Sequence, residues 1–242
     1  MKAKKFEPSE WIRIFEWLKK ELPLNFIADI DAVKLFSSSI SLNMRALRRG
    51  YELIEKEEVL VLGAGPELEM INSIEGKRVI VADRAAKHVM SIFRKIPDVL
   101  VTDLDGIEDI EISDLKKVPL IIAHLHGDNI EKAQRFLKNV NYQNQHIVYT
   151  TQISPSPPFF NLGGFTDGDR AVFVALFFGA RNIKVYAIGE KTLPPHNEKP
   201  SDNRLKKFWI GKSIVEWLAC KDSRINIPLQ DNSQCTGFPW EE

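Results

Sequence analysis

Cysteine is nearly missing: the 242 residues contain two, Cys220 and Cys235. Two thiols are too few for a Cys-based zinc cluster, and their spacing suits neither a metal-ligand pair nor a redox pair. Reduced thiols in a cytoplasmic protein are therefore expected. An excess of one charge is missing as well, since 33 Lys+Arg stand against 33 Asp+Glu. With no global field to concentrate nucleic acid or an anionic membrane, any polyanion site has to be local. A long apolar run is absent too. The most apolar stretch, 171–180, covers about half of the roughly 20 residues that a membrane span needs. The basic start (Met1, Lys2, Ala3, Lys4, Lys5) runs directly into Glu7, Glu10, Arg13 and Glu16, without the apolar core of a secretory signal. These absences point to a soluble protein with no nucleic-acid or membrane partner.

What is present is periodicity of two kinds. Trp11, Ile14, Phe15, Leu18 and Leu22 fall on one helical face behind Ser9 as a cap, and Leu47, Tyr51 and Ile54 repeat the spacing. Residues 1–57 thus form an N-terminal helical segment, which either packs on the rest or makes a contact between copies in a homo-oligomer. From Val59 onward, β-branched runs alternate with helical stretches, the runs lying at 59–62, 78–82, 98–102, 118–123, 146–150 and 183–188. That alternation predicts an α/β domain over 58–220, with a mostly parallel, doubly wound, Rossmann-like sheet and helices on both faces. A proline- and glycine-rich loop spans 151–165, a last amphipathic helix is expected over 205–219, and 221–242 reads as a tail.

In an open parallel sheet, ligands sit beyond the carboxyl ends of the strands. The residues that follow the predicted strands are therefore the informative ones. Gly63, Ala64, Gly65, Pro66, Glu67 make a glycine turn after the first strand, either a nucleotide cradle or a plain strand-to-helix turn; Leu68 stands where a third glycine would complete a dinucleotide fingerprint. Asp83, about twenty residues beyond Gly63, suits a ribose hydroxyl or a helix cap. Asp103 and Asp105 leave the third strand two residues apart, a hard-oxygen pair suited to Mg²⁺ or else a solvated turn. His124 and His126 lack further soft ligands for zinc, while Asp128 is a third acid or a cap beside Asn129. Finally Gly163, Gly164, Phe165, Thr166, Asp167, Gly168, Asp169 and Arg170 bring a hydroxyl, two carboxylates and a guanidinium to one helix start. Phe159 and Phe160 in the preceding loop either stack on a flat heterocycle or belong to the core.

The ordered series GAGPELE (63–69), VADRAA (81–86), VTDLDG (101–106), AHLHGDN (123–129) and GGFTDGDRAV (163–172) resembles the archaeal 6-hydroxymethyl-7,8-dihydropterin pyrophosphokinases, whose metal and nucleotide logic is similar to that of thiamin pyrophosphokinases. The resemblance covers roughly residues 9–218. Two departures stand out: Arg84 where the family shows a small residue, and Ile188, Gly189, Glu190 where it shows Gly-Met-Asp. The resemblance implies Mg²⁺-dependent transfer of the pyrophosphoryl group of ATP to a pterin hydroxymethyl oxygen, with AMP leaving, in tetrahydrofolate- or tetrahydromethanopterin-type pterin biosynthesis. It implies Asp103 and Asp105 as metal ligands and Asp103, Asp105, Asp128 and Asp169 as the catalytic acids. Gly63, Gly65, Asp83, Gly164, Thr166, Asp167 and Arg170 would hold nucleotide or substrate, with Lys207 as a further phosphate contact. The rivals are an S-adenosylmethionine-dependent methyltransferase, which would use the glycine turn and Asp83, a thiamin pyrophosphokinase-like enzyme with another acceptor, and a non-catalytic nucleotide-binding domain.

Overall fold

Short runs of valine, isoleucine and leucine favour extended backbone, and when both faces are covered such runs have no need to alternate with polar residues. The computed structural model describes residues 5–139, 145–153, 156–188, 202–228, 235 and 237–241. Seven strands form one sheet: β1 (Glu58–Leu62), β2 (Arg78–Ala82), β3 (Val99–Thr102), β4 (Leu120–His124), β5 (Ile147–Thr150), β6 (Asn182–Tyr186) and β7 (Ile225–Asn226). All the pairings between them are parallel. β7 was not legible as a strand. In the order β5-β4-β3-β2-β1-β6-β7, the chain steps outward from β1 to β5 and then returns to lay β6 against the other edge of β1. The switch point, and with it the crevice where a ligand is expected, lies between β1 and β6.

The helices are α1 (Ser9–Glu21), α2 (Phe26–Ser37), α3 (Met44–Ile54), α4 (Ala85–Phe93), α5 (Ile112–Leu115), α6 (Ile130–Asn139), α7 (Asp167–Phe177) and α8 (Asp202–Lys221). β3, β4 and β5 are buried at every position. Alternate strand residues feed two cores. Val61, Ile80, Val101 and Ile122 meet Ile14, Leu53, Val174 and Ile214 from α1, α3, α7 and α8. Leu62, Val81, Leu100 and Ile121 meet Val33, Val89 and Phe136 from α2, α4 and α6. Each such side chain contributes about 1.5–3 kcal/mol by leaving water. The N-terminal helices thus share both cores with the sheet.

Asn25 and Asn43 cap α2 and α3, each accepting a backbone N–H three residues on, from Ala28 and Ala46. Ser9 does not cap α1. It is the first helical residue after Pro8, and the Glu10 carboxylate accepts the Glu7 N–H at 3.1 Å instead. Phe159 is 2% exposed and packs in the second core, while the Phe160 ring packs against the first and its backbone bridges to Thr150, so the loop rings serve packing rather than stacking on a ligand.

The thiols depart from expectation. Cys220 and Cys235 form a disulfide across Cα atoms 5.5 Å apart. Distance along the chain misled here, because Cys235 and Trp240 lie against α8 and α1 in space. There Trp240 is buried among Trp17, Trp217 and Phe238. Among the described residues no helix is long and apolar enough to cross a membrane.

Candidate active site

Four strand ends and the start of α7 build the site. Thr102, fully buried at the end of β3, donates its hydroxyl to Asp83 Oδ1 at 2.7 Å and accepts the Leu104 N–H at 2.7 Å. The Gly106 N–H adds a second bond to Asp83 Oδ1 at 3.1 Å. These bonds hold the Asp83 carboxylate toward β3. Asn129, 4% exposed, donates to the backbone oxygens of Asp103 (2.6 Å) and His124 (2.7 Å) and accepts the His126 N–H (3.0 Å), tying the β3 end to the β4 end. From below, the buried Asp29 of α2 accepts the Gly127 N–H at 2.8 Å and the Gln152 amide at 2.7 Å.

α7 brings the remaining acid. Asp169 is fully buried and takes the N–H groups of Phe165 (2.6 Å) and Thr166 (2.7 Å) together with the Thr166 hydroxyl. Its carboxylate therefore fixes the loop and does not line the cavity, unlike the expected catalytic acid. Gly164 supports the same turn: its φ is +89°, and a Cβ there would lie 2.4 Å from the Arg170 Cα. Arg170, 3% exposed, donates to Asp167 Oδ1 at 3.2 Å and to the Gly164 and Phe165 carbonyls at 3.4 and 3.3 Å.

The result is a carboxylate triad. Oxygens of Asp83, Asp103 and Asp167 lie within 4.8 Å of one another. Burial raises the Asp83 carboxyl, and the Asp103 charge raises it further. Burial also pushes Asp167 well above its ordinary value, followed by repulsion from Asp103 and Asp83, with Arg170 opposing. Burial works against the Asp103 charge too, but His126, whose Nε2 lies 3.8 Å away, outweighs it together with Arg170 and Lys132, and the net shift is downward. Three hard oxygens held together against mutual repulsion, with one buried guanidinium touching Asp167, fit a divalent cation such as Mg²⁺.

Asp105 does not join this triad. The chain turns at Leu104, whose φ is +71°, and sends Asp105 outward to an ion pair with Lys132. The triad opens onto a cavity of about 430 Å³ whose wall includes Gly63, Asp83, Asp103, Asp105, Asp128, Thr166, Asp167, Arg170 and Lys207. Gly65 lies instead on an adjoining cavity of about 440 Å³, which shares Ala64, Arg84 and Asp105 with the first. The amides of Gly63 and Gly65 are already given to the Tyr186 and Ala187 carbonyls, so they are not free for a phosphate. Glycine is required at 63 because a Cβ would lie 2.2 Å from the Ala187 oxygen. Leu24, Gln152, Phe208 and Lys212, which also line the first cavity, stand in no motif and were not legible in the sequence. Gly189 and Glu190 lie outside the described residues.

A parallel α/β sheet with three converging carboxylates beyond the ends of β2 and β3 defines the class: a doubly wound α/β protein with an acidic cavity at the carboxyl edge of its sheet. Sequence comparison then supplies the family. Residues 36–186 match the family model described as 6-hydroxymethylpterin diphosphokinase MptE-like, and the chain belongs to that family. It is 30% identical over 222 residues to the 6-hydroxymethyl-7,8-dihydropterin pyrophosphokinase of Pyrococcus furiosus, covering 86% of this chain and 93% of that protein. It is 29% identical over 235 residues to the protein of the same name from Methanocaldococcus jannaschii (88% and 95% covered). Against the one from Methanothermobacter thermautotrophicus it is 35% identical over 179 residues (68% and 75% covered).

Proposed function

We propose that the chain is an ATP-dependent pyrophosphokinase acting on 6-hydroxymethyl-7,8-dihydropterin. The pterin hydroxymethyl oxygen attacks the β-phosphorus of ATP, the bond from that phosphorus to the α,β-bridging oxygen breaks, and AMP leaves. The observation that carries this reading is the triad of Asp83, Asp103 and Asp167 beyond the strand ends, in a chain of this family. These three residues would hold Mg²⁺, which when bound neutralises the charge of the transferring phosphates. The rest falls to the chain itself. Arg170, Lys207 and Lys212 present fixed positive charge on the cavity wall. Asp128, exposed and 4.0 Å from His126 Nδ1, is assigned to take the proton of the acceptor hydroxyl. Asp169 keeps Thr166 and Asp167 in place. The adjoining cavity, with Arg84 and Lys87 on its wall, is assigned to the nucleotide. An ATP-consuming step of this kind is assigned to the cytoplasm.

The methyltransferase alternative loses its main support, since the amides of the glycine turn are engaged and methyl transfer has no use for three converging carboxylates. Chromatography of the nucleotide products tests the reading. AMP should form in step with pyrophosphorylated pterin, and only with a hard divalent cation present. Accumulation of ADP would show transfer of a single phosphoryl group and defeat it.

A further inference from the structure

The cavity that holds the triad has two kinds of wall. Around the triad it is charged, whereas the ends of β4 and β5 bring His124 and the Gln152 amide, beside His126 and Asp128, and the rings of Phe165 and Phe208 come in from the start of α7 and from α8. His124 is 3% exposed, and its Nδ1 faces Thr150 Oγ1 at 3.0 Å. The other ring nitrogen, Nε2, is buried without a hydrogen-bond partner among the described residues. A native fold leaves few such atoms unpaired, and each calls for an explanation. Burial, with help from Arg170 and His126, keeps the imidazole uncharged. An uncharged imidazole with one nitrogen engaged offers one donor or acceptor, which suits the polar edge of a neutral heterocycle better than a phosphate.

We propose that His124 is a specificity residue for the acceptor, its Nε2 hydrogen-bonding the polar edge of the pterin ring while Phe165 and Phe208 flank the ring's face. The inference rests on the pyrophosphokinase reading. It gives the unpaired nitrogen a partner that arrives with the substrate, and it puts the acceptor on the β4 and β5 side, opposite the nucleotide.

Two substitutions separate a ligand role from a packing role. His124→Asn keeps an amide near the Nδ1 position, so the Thr150 contact survives while Nε2 is lost. His124→Gln reaches the Nε2 position and gives up Thr150. Steady-state kinetics for pterin and ATP, with melting curves, provide the readout. His124→Asn should raise the pterin KM by ~10–100-fold, the cost of an unmade buried hydrogen bond. Its KM for ATP should stay within about twofold of wild type and its Tm should not fall, and His124→Gln should restore most of the pterin KM. An unchanged pterin KM in His124→Asn overturns the proposal, as does a rise confined to ATP. So does a loss in both variants that follows Tm. If His124→Asn does not fold, His124→Gln decides: a pterin KM near wild type despite the lost Thr150 contact supports the role, and a rise beyond ~10-fold refutes it. Failure of wild type to pyrophosphorylate the pterin defeats the underlying reading and the inference together, whereas normal wild-type turnover with an indifferent His124→Asn defeats the inference alone.

Discussion

Replacing Asp167 by Asn removes one charge from the triad and keeps an oxygen for Arg170, which makes the sign of the effect informative. Two unit charges 4.8 Å apart repel by about 3 kcal/mol at an effective dielectric constant near 20. Asp167 feels two such neighbours and is offset by one guanidinium. The metal-free variant should therefore be more stable than wild type at pH 7.5, by about 1–3 kcal/mol, or roughly 3–9 °C in Tm for a chain of this length. The pH dependence follows from the raised carboxyl. An acid whose folded pKa lies above its unfolded one contributes stability that is fully present below the unfolded value and lost as pH rises through the folded value. The gap between variant and wild type should thus close near pH 4 and widen toward neutrality. Mg²⁺ reverses the order: a ligand at 100 times its Kd adds about 2.7 kcal/mol to wild type, and the variant should forgo most of it. Scanning calorimetry in EDTA and in Mg²⁺, from pH 4 to 8, should give curves that cross. A variant less stable than wild type in EDTA, or an equal Mg²⁺ increment in both, would refute the electrostatic argument.

Asp103→Asn should behave differently, because His126, Arg170 and Lys132 favour that charge: no gain in apo stability is expected, while turnover falls by orders of magnitude in a single-turnover assay. Asn129→Ala removes the tie between the β3 and β4 ends and should cost about 2–4 kcal/mol by urea melts. It should also weaken Mg²⁺ binding by ~10–100-fold in titration calorimetry. Cys220→Ser opens a link spanning 15 residues and should lower stability by about 3 kcal/mol in non-reducing buffer. Its turnover should stay at the wild-type level, since neither cysteine lines the cavities of the site.

The sheet was legible because its strands are apolar runs with no competing helical period, and β7 escaped notice because two residues carry no period at all. The acids were legible as a set, but not their grouping. Asp103 and Asp105 are neighbours in sequence, yet the turn at Leu104 separates them, while Asp83 and Asp167 arrive from β2 and α7 to complete the triad. Adjacency along a chain that turns sharply says little about which side chains share a cation. The same reason hid the disulfide. Leu24 enters the cavity from the link between α1 and α2, and Phe208 from a helix whose sequence reports only that it is amphipathic, so nothing in their pattern marked them.

Three non-glycine residues in the left-handed region, Asp83 (φ +44°), Leu104 (φ +71°) and Ala187 (φ +59°), follow β2, β3 and β6 around the site. Leucine and alanine gain nothing from that conformation, and each such residue costs about 1–3 kcal/mol. Directed evolution for heat resistance should therefore find its easiest gains at the worst place. Glycine at 187 would relax the backbone, harden the protein and blur the floor beneath Gly63, whereas at 104 the same change would also delete a buried core side chain, costing about 2–5 kcal/mol, and blur the turn that separates Asp103 from Asp105. Robustness and catalytic precision draw on the same few torsion angles in this fold, and a thermostabilising library that omits residues 83, 104 and 187 should retain far more active clones than one that includes them.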